Sequence, residues 1–432
     1  VANSTQGDLY PFTINPLDPM VLDPIAVDEK TSTQMLGARY RWLTEQGFES
    51  SIQSSLSNAQ IGLKNAFEIR YVKFDLDYQG RYTFAEHDLL WGLTHRTMSD
   101  EAWSNFAFEM TIPRREFTQR SSGVFLHDNW TLVPDTWQLG VGARWDQSNL
   151  GGSFLSPSAT LMWTPTRNHT LWAKYARAPR IPSRAEYDVS MISGYQGPTT
   201  GPFLSMLRSQ PGSLPLSRET IEGGELRFRS QLAPHFSIDL SLYRYRYANL
   251  VSSTLGTTEV NLSFGPIHVV IQNLDRNNAA NGWLTGAELS LDWLLSPTWR
   301  LQLSYALTHV DMDASSNPIS DAQGKADERG TARHTGSLRS QWNLSENQQL
   351  DAWLRGSSGM VRTLSPYTTE IRIPGYVTLD LRYAFKLTRD LEIALSGRNL
   401  IGPRRVEYVS DYVPATPVVI EPSLQLTTRW KF

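Results

Sequence analysis

The 432-residue chain contains no cysteine, which removes disulfide frameworks and thiolate metal sites together. It also has no apolar run of the ~20 residues a membrane-spanning helix needs, and its mean hydropathy is −0.36. Neither sign of charge dominates. Forty Lys and Arg against 43 Asp and Glu leave a net charge of −3, so composition offers no electrostatic footprint for a nucleic acid. The opening residues, "VANSTQGDLY", hold neither a basic n-region nor an apolar h-region. The expectation is that a signal peptide, or more than that, precedes them in the gene.

Catalytic signatures are equally scarce. The histidines at 87, 95, 127, 169, 235, 268, 309 and 334 are scattered, with no pair at metal-ligand spacing on one strand face. No Gly-x-Ser-x-Gly elbow or phosphate-cradling glycine loop occurs. Asp311, Asp313 and Glu186 could be cast as acids of a rim protease, but carboxylates in loops are far more often solvated. The chain is expected to be no enzyme, with no cofactor and no metal site.

What is present is alternation. Trp137, Leu139, Val141, Ala143 and Trp145 share one parity against Gln138, Gly140, Gly142, Arg144 and Asp146. Trp299, Leu301, Leu303, Tyr305 and Leu307 stand against Arg300, Gln302, Ser304 and Thr308. Val377, Leu379, Leu381, Tyr383 and Phe385 stand against Thr378, Asp380, Arg382 and Ala384. The last stretch, "SLQLTTRWKF", sets Leu424, Leu426, Trp430 and Phe432 against Gln425, Thr427, Arg429 and Lys431. A period of two puts each set on its own face of a strand, so the chain reads as all-β, with no helical repeat beyond a turn or two.

A soluble sandwich would bury the apolar face; a membrane barrel would turn it to lipid and the charged face to a wet lumen. The connections discriminate. About 18 candidate strands are joined by short turns ("LTEQGF", "FAEHD", "LVPDT", "TPTRNH", "LAPH", "LSPT", "LSENQ", "LTRD") that alternate with long loops. The long ones lie near 12–33, 98–114, 179–217, 250–280, 312–330, 361–373 and 400–420, and only those near 60–65 and 149–152 are short where a long one is due. All long loops then fall at one end, as in an antiparallel up-and-down β-barrel with periplasmic turns and external loops. Fourteen Trp and 17 Tyr would supply interface girdles.

One strand departs from the pattern. In "PHFSIDLSLYRYRYANL" the apolar parity Phe236, Ile238, Leu240, Leu242 carries Arg244 and Arg246 outward, near the outer edge of the apolar band. There they could meet lipopolysaccharide phosphates; a bulge near Tyr243 that swaps the faces is the alternative.

Several segments resemble one family. "HTLWAKYARAPRIPSRAEYD" is similar to a strand that enters an external loop through an Arg-Ala-Pro-Ser type motif, carried here by Arg177, Ala178, Pro179 and Pro182 to Glu186. "LPLSRETIEGGELRFRSQL" resembles the family's Leu-x-Pro-Glu stretch at Leu216, Glu219 and Glu225, with Arg218 where proline is usual. "NGWLTGAELSLDW" matches a Gly-x-Glu strand at Gly286 and Glu288, and "LSGRNLIGPRRVEY" an Asn-Leu element at Asn399, Leu400 and Tyr408. From residue 34 or so onward the chain resembles the C-terminal barrel of a TonB-dependent outer-membrane receptor.

The resemblance implies a bacterial outer-membrane location, a barrel of roughly 22 strands of which residues 1–432 form one barrel domain, and a plug that fills the lumen. It implies uptake of a scarce large nutrient, such as a ferric siderophore or a corrinoid, energised through TonB bound by an N-terminal part. A passive porin, or a structural barrel filled by a partner protein, is the alternative. The first strands and plug are expected to lie outside this chain, in the same polypeptide or a separate one. Further expected partners are outer-membrane lipid, lipopolysaccharide and the barrel-assembly machinery, which would read Trp430 and Phe432 as a terminal signal. The loop from Pro179 to Ser217 is the best ligand-contact candidate, through Arg180, Tyr187, Tyr195 and Phe203, although inward packing of "MISGYQGPTTGPFLSML" is at least as natural. The lumen face carries Arg144, Asp146, Arg227, Arg229, Arg300, Asp380, Arg382, Glu392 and Arg398, to hydrate a pore or to meet a plug. "DASSNPISDAQGKADERG" reads as a mobile polar loop.

Overall fold

Strict alternation makes strands, because a pleated backbone sends successive side chains to opposite faces. A computed structural model describes residues 3–9, 12–14, 22–24, 27–63, 67–104, 110–196, 203–264, 267–314, 317–363, 370–408 and 419–431. Its side chains are described from residue 31, apart from 63, 193–204, 261–268 and 363 within those ranges. The main sheet holds 21 strands, three of them short strands within the loops.

The others form the wall in chain order. They begin with β1 (Asn3–Leu9), β2 (Val27–Leu43), β3 (Glu49–Leu63), β4 (Phe67–Phe84), β5 (His87–Ser104) and β6 (Glu116–Val133). Next come β7 (Trp137–Ser148), β8 (Gly152–Thr166), β9 (His169–Arg180), β10 (Glu219–Ala233), β11 (Phe236–Phe264) and β12 (Ile267–Ser296). The last are β13 (Trp299–Asp313), β14 (His334–Ser345), β15 (Gln348–Ser357), β16 (Tyr376–Lys386), β17 (Leu391–Arg398) and β18 (Ser423–Trp430). Each pairs antiparallel with the next. Every short turn read from the sequence is a tight connection at one end of this wall.

The faces separate as lipid and water require. Leu93, Leu126, Leu155, Leu242 and Val377 point outward and remain between 43% and 56% exposed. A sandwich would have buried them; a contiguous outer apolar band of this kind belongs in a bilayer. At the turn end, outward rings pair across neighbouring strands as a girdle: Trp137 with Trp163, Phe236 with Trp293, and Trp299 with Trp342, at centroid distances of 5.5, 5.7 and 5.4 Å. His87 and Asp128, 2.7 Å apart, interrupt the band beside Trp130.

Three expectations need correction. The stretch 312–330 is not an irregular loop, because Pro318–Arg329 forms helix α2, which is also longer than any helix read from the sequence. Asn317 caps it by accepting from the Ile319 and Ser320 amides, and Pro318 takes a first-turn position where no N–H is needed. The stretch 250–280 is not a loop either: β11 and β12 continue through it as one hairpin, with register irregularities from Tyr247 onward. No bulge occurs near Tyr243, since β11 keeps register with both neighbours from Ser237 to Tyr247.

β1 pairs with Val27–Thr33 of β2, and among the described residues no register joins either strand to β18. Both parities of β18 are exposed, with Leu424 at 74% and Leu426 at 70%.

Candidate ligand site at the loop end of the barrel

Above the wall short loop strands extend the main sheet. Met110–Thr111 pairs with Ser190–Gln196, which pairs with Phe203–Pro211, which runs parallel to the upper part of β12. Parallel strands are stable when both faces are covered, and both are. Met206 is 1% exposed and Ile271 0% on one face, while Leu207 and Leu274 on the other pack against Ile319 of α2. The apolar residues of the 179–217 segment are therefore core at Met206 and Leu207, and not free to receive a ligand. Asn273, fully buried in this sheet, donates to Glu259 at 2.7 Å, and that bond comes first among the causes holding the Glu259 carboxyl below the usual range.

Beneath it, helix α1 (Arg184–Asp188) starts with a capping box in which Ser183 and Glu186 satisfy each other's backbone amides. Side chains from three other segments fix the helix. Arg114 donates to Asp188 at 3.0 Å, Asp100 of β5 pairs with Arg184, and Arg276 of β12 donates to the Ala185 carbonyl at 2.6 Å and to that of Val189. None of these partners was legible beforehand, since they lie 70 to 91 residues apart in the chain in the cases of Arg184–Arg114 and Arg276–Ala185.

Arg180 belongs to the same clamp. It donates to Glu186 at 2.7 and 2.9 Å and to both carboxylate oxygens of Glu219. Glu219 in turn accepts from the Val251 amide at 2.7 Å. Arg180 is thus committed to the wall and the helix. Tyr187 is half-buried under the Arg114 guanidinium at 5.6 Å. Tyr195 and Phe203 fall in the two loop strands, but their side chains lie outside the described residues, as does Phe432 altogether.

The lumen charges are paired within the wall. Arg144 holds Asp146 and Thr94, Arg300 holds Asp292, and Arg382 holds Glu392 at 2.8 Å. Asp380 accepts from Arg355 at 2.7 Å and from the Asn399 amide at 2.8 Å. Same-face carboxylates on the same or the neighbouring strand thus pair Arg144, Arg300 and Arg382 within the wall. Arg227 and Arg229 share Asp239 in the same way. Between the Arg227 and Arg355 clusters a hollow of about 540 Å³ opens in the lumen wall. Serines of β11 to β14 line it together with Leu289, Ala306, Arg227, Glu288, Arg355 and Tyr376.

The motif residues acquire physical reasons. Asn399 turns the chain out of β17 at φ 54°, a left-handed conformation that asparagine tolerates, while Thr378 and Arg405 donate to its side-chain oxygen. Gly286 faces Tyr243 so closely that an added Cβ would lie 2.4 Å from the phenol ring. Glu225 accepts from Ser241 and Tyr245 beside the hollow, and Arg218 donates to the Gly151 carbonyl.

A family model described as TonB dependent receptor-like, beta-barrel, matches residues 3–400. The chain belongs to this family. Its solved neighbours include a variant of the ferric enterobactin receptor PfeA from Pseudomonas aeruginosa, with a TM-score of 0.69 and 15% identity over 93% of this chain and 61% of that one. The siderophore receptor PirA from Acinetobacter baumannii gives 0.68 and 13% over 94% and 63%. FpvAI in its complex with pyocin S2 gives 0.65 and 12% over 100% and 63%. At these identities the likeness is one of fold, and the chain spans less than two thirds of each neighbour's length. A comparison with curated protein sequences finds no match. This TonB-dependent receptor barrel belongs to a family of transporters and receptors rather than enzymes, one of the outer membranes of Gram-negative bacteria.

Proposed function

We propose that residues 1–432 form the wall and the ligand-gathering mouth of an outer-membrane receptor for a ferric siderophore or a comparably large chelate, driven through TonB. The observation that carries this reading is the braced mouth: strands from two loops and the β11–β12 hairpin fold into one buried sheet, covered by α2, over a lumen whose wall holds a hollow. A passive pore needs no such assembly. The neighbours of this fold, a ferric enterobactin receptor and siderophore receptors, point the same way.

In this reading a plug and further strands complete the barrel beside β18, whether in one polypeptide or two. The barrel-assembly machinery would read Trp430 and Phe432, and outer-membrane lipid and lipopolysaccharide would surround the wall. Arg180 then serves the mouth by bracing α1, while Tyr187, Tyr195 and Phe203 remain the proposed contacts to ligand. One observation favours a second reading, a self-sufficient pore: Arg144, Arg300 and Arg382 need no plug carboxylate, because the wall pairs each of them.

The decisive experiment is uptake of a panel of ferric siderophores and corrinoids by cells expressing the full-length receptor, with and without functional TonB. Uptake of one ligand that vanishes without TonB is expected. Equal, unselective uptake of small solutes in both strains would establish the pore.

A further inference from the structure

Along β11 the outward parity runs Phe236, Ile238, Leu240, Leu242, Arg244, Arg246, in unbroken register with β10 and β12 from Ser237 to Tyr247. Both arginines are exposed. Eight residues of tilted strand rise ~20 Å, so Arg244 stands that far from the Phe236 girdle, near the outer edge of a ~25 Å apolar band. Neighbouring strands add to the same patch. Arg177, Glu222, Arg246 and Trp283 lie opposite one another in register across β9 to β12.

These outward arginines differ from those of the lumen. Lumen arginines hold a carboxylate at hydrogen-bond distance, as Arg382 does at 2.8 Å. Glu222 instead lies 3.9 Å from Arg177 and 3.9 Å from Arg246, beyond hydrogen-bond reach of either. Arg244 has the face of Trp283 beneath it at 4.4 Å, which fixes the guanidinium plane and leaves its N–H donors at the edge. Asp311, next in register beyond Trp283, borders the patch on β13. Three guanidiniums with spare donors thus face outward around one loosely held carboxylate. A single arginine at such a depth would snorkel to water. Three on adjoining strands, one of them fixed on a tryptophan, make a polydentate surface for phosphate oxygens.

We propose that Arg177, Arg244 and Arg246, with Trp283, seat a phosphate of an outer-leaflet glycolipid against the outer wall. The proposal rests on the reading of this chain as an outer-membrane wall, with its long loops outside. The glycolipid is favoured over a phospholipid because the patch lies at the loop end, where the outer leaflet's phosphorylated sugars sit. Trp283 and Tyr175, exposed on the same face, offer rings against which sugars stack.

The full-length receptor would be purified from outer membranes as wild type, as Arg244→Gln/Arg246→Gln, and as Arg244→Lys/Arg246→Lys. Folding is followed by heat-modifiable mobility, and bound lipid by mass spectrometry. Each form is then refolded into phosphatidylcholine vesicles doped with lipid A, dephosphorylated lipid A or phosphatidylglycerol. Wild type should retain lipid A through purification, the glutamine form should lose it several-fold while folding normally, and the lysine form should keep most of it. Dephosphorylated lipid A should be lost from all forms. Equal retention by wild type and the glutamine form, or retention of phosphatidylglycerol as firm as that of lipid A, would overturn the site. Failure of every form to insert would count instead against the outer-membrane reading and, with it, this site.

Discussion

Arg180 and Glu219 stand opposite each other in register at the loop end of β9 and β10, and the guanidinium grips both oxygens of a carboxylate that is only 7% exposed. The same arginine reaches Glu186 in α1, so one side chain ties the wall to the mouth. Arg180→Ala would strand Glu219 against the Val251 amide with no cation. Breaking a fully buried pair costs about 3–5 kcal/mol, and the half-exposed arginine reduces that to roughly 1–2. Hydrogen exchange should quicken at residues 183–189 and at Val251 while amides of the mid-wall strands stay protected. Exchange unchanged in the mouth would show that Arg180 does not brace it.

The same clamp sets a pH dependence. Burial pushes the Glu186 carboxyl up, but hydrogen bonds from Arg180 and from the Ser183 amide and hydroxyl outweigh burial and hold it below its ordinary 4.5. A carboxyl depressed in the folded state contributes stability above its unfolded value and loses it as pH falls below that value. The α1 segment should therefore loosen below about pH 4.5 and be firm at neutrality. Limited proteolysis after Arg184 across that range measures it, and Glu186→Gln should abolish the pH step. A step that persists in that variant would assign the transition to another group.

How much of this was legible beforehand follows from the range of the forces involved. Lipid and lumen impose a local, two-residue rule, so the strands around Leu139, Leu303 and Leu381 and the turns between them could be read directly. The Arg244–Arg246 departure was visible as a broken rule, and only the continuous register of β11 decided between bulge and outward arginines. The mouth was opaque for the opposite reason. Arg276 reaches Ala185 from 91 residues away, and the parallel pairing of Phe203–Pro211 with β12 has no signature in either segment alone. α2 was missed because its polar sequence buries Ile319, Ser320 and Gly324 but shows little apolar stripe; Asn317 and Pro318 were the signal available.

The assignment of faces has a direct energetic test. Leu303 points to lipid and Gln302 to the lumen, next to Asp292. Arginine at Leu303 should cost ~2–4 kcal/mol in folding into bilayers if it lies near the midplane, whereas arginine at Gln302 gains an adjacent carboxylate and should cost little. Titration with denaturant in vesicles gives both values. Equal penalties would mean that the two faces of β13 see the same medium.

The far edge of β18 makes the last prediction. Backbone groups of a strand edge that meet hydrocarbon cost several kcal/mol each, so the edge of β18 away from β17 needs a partner strand beside lipid. β18 pairs with β17 through Ser396 opposite Gln425, and a chain without cysteine allows that register to be probed cleanly. Cysteines at Ser396 and Gln425 should cross-link readily in the outer membrane, because paired residues of antiparallel strands bring their Cα atoms within the reach of a disulfide. Cysteines at Gln425 and Gln6, or at Gln425 and Tyr40, should stay reduced, because further strands are expected between β18 and these two. Efficient cross-linking of Gln425 to either position would close the wall at the strands seen here, and would shift the function from an energised receptor toward a narrower, self-contained pore.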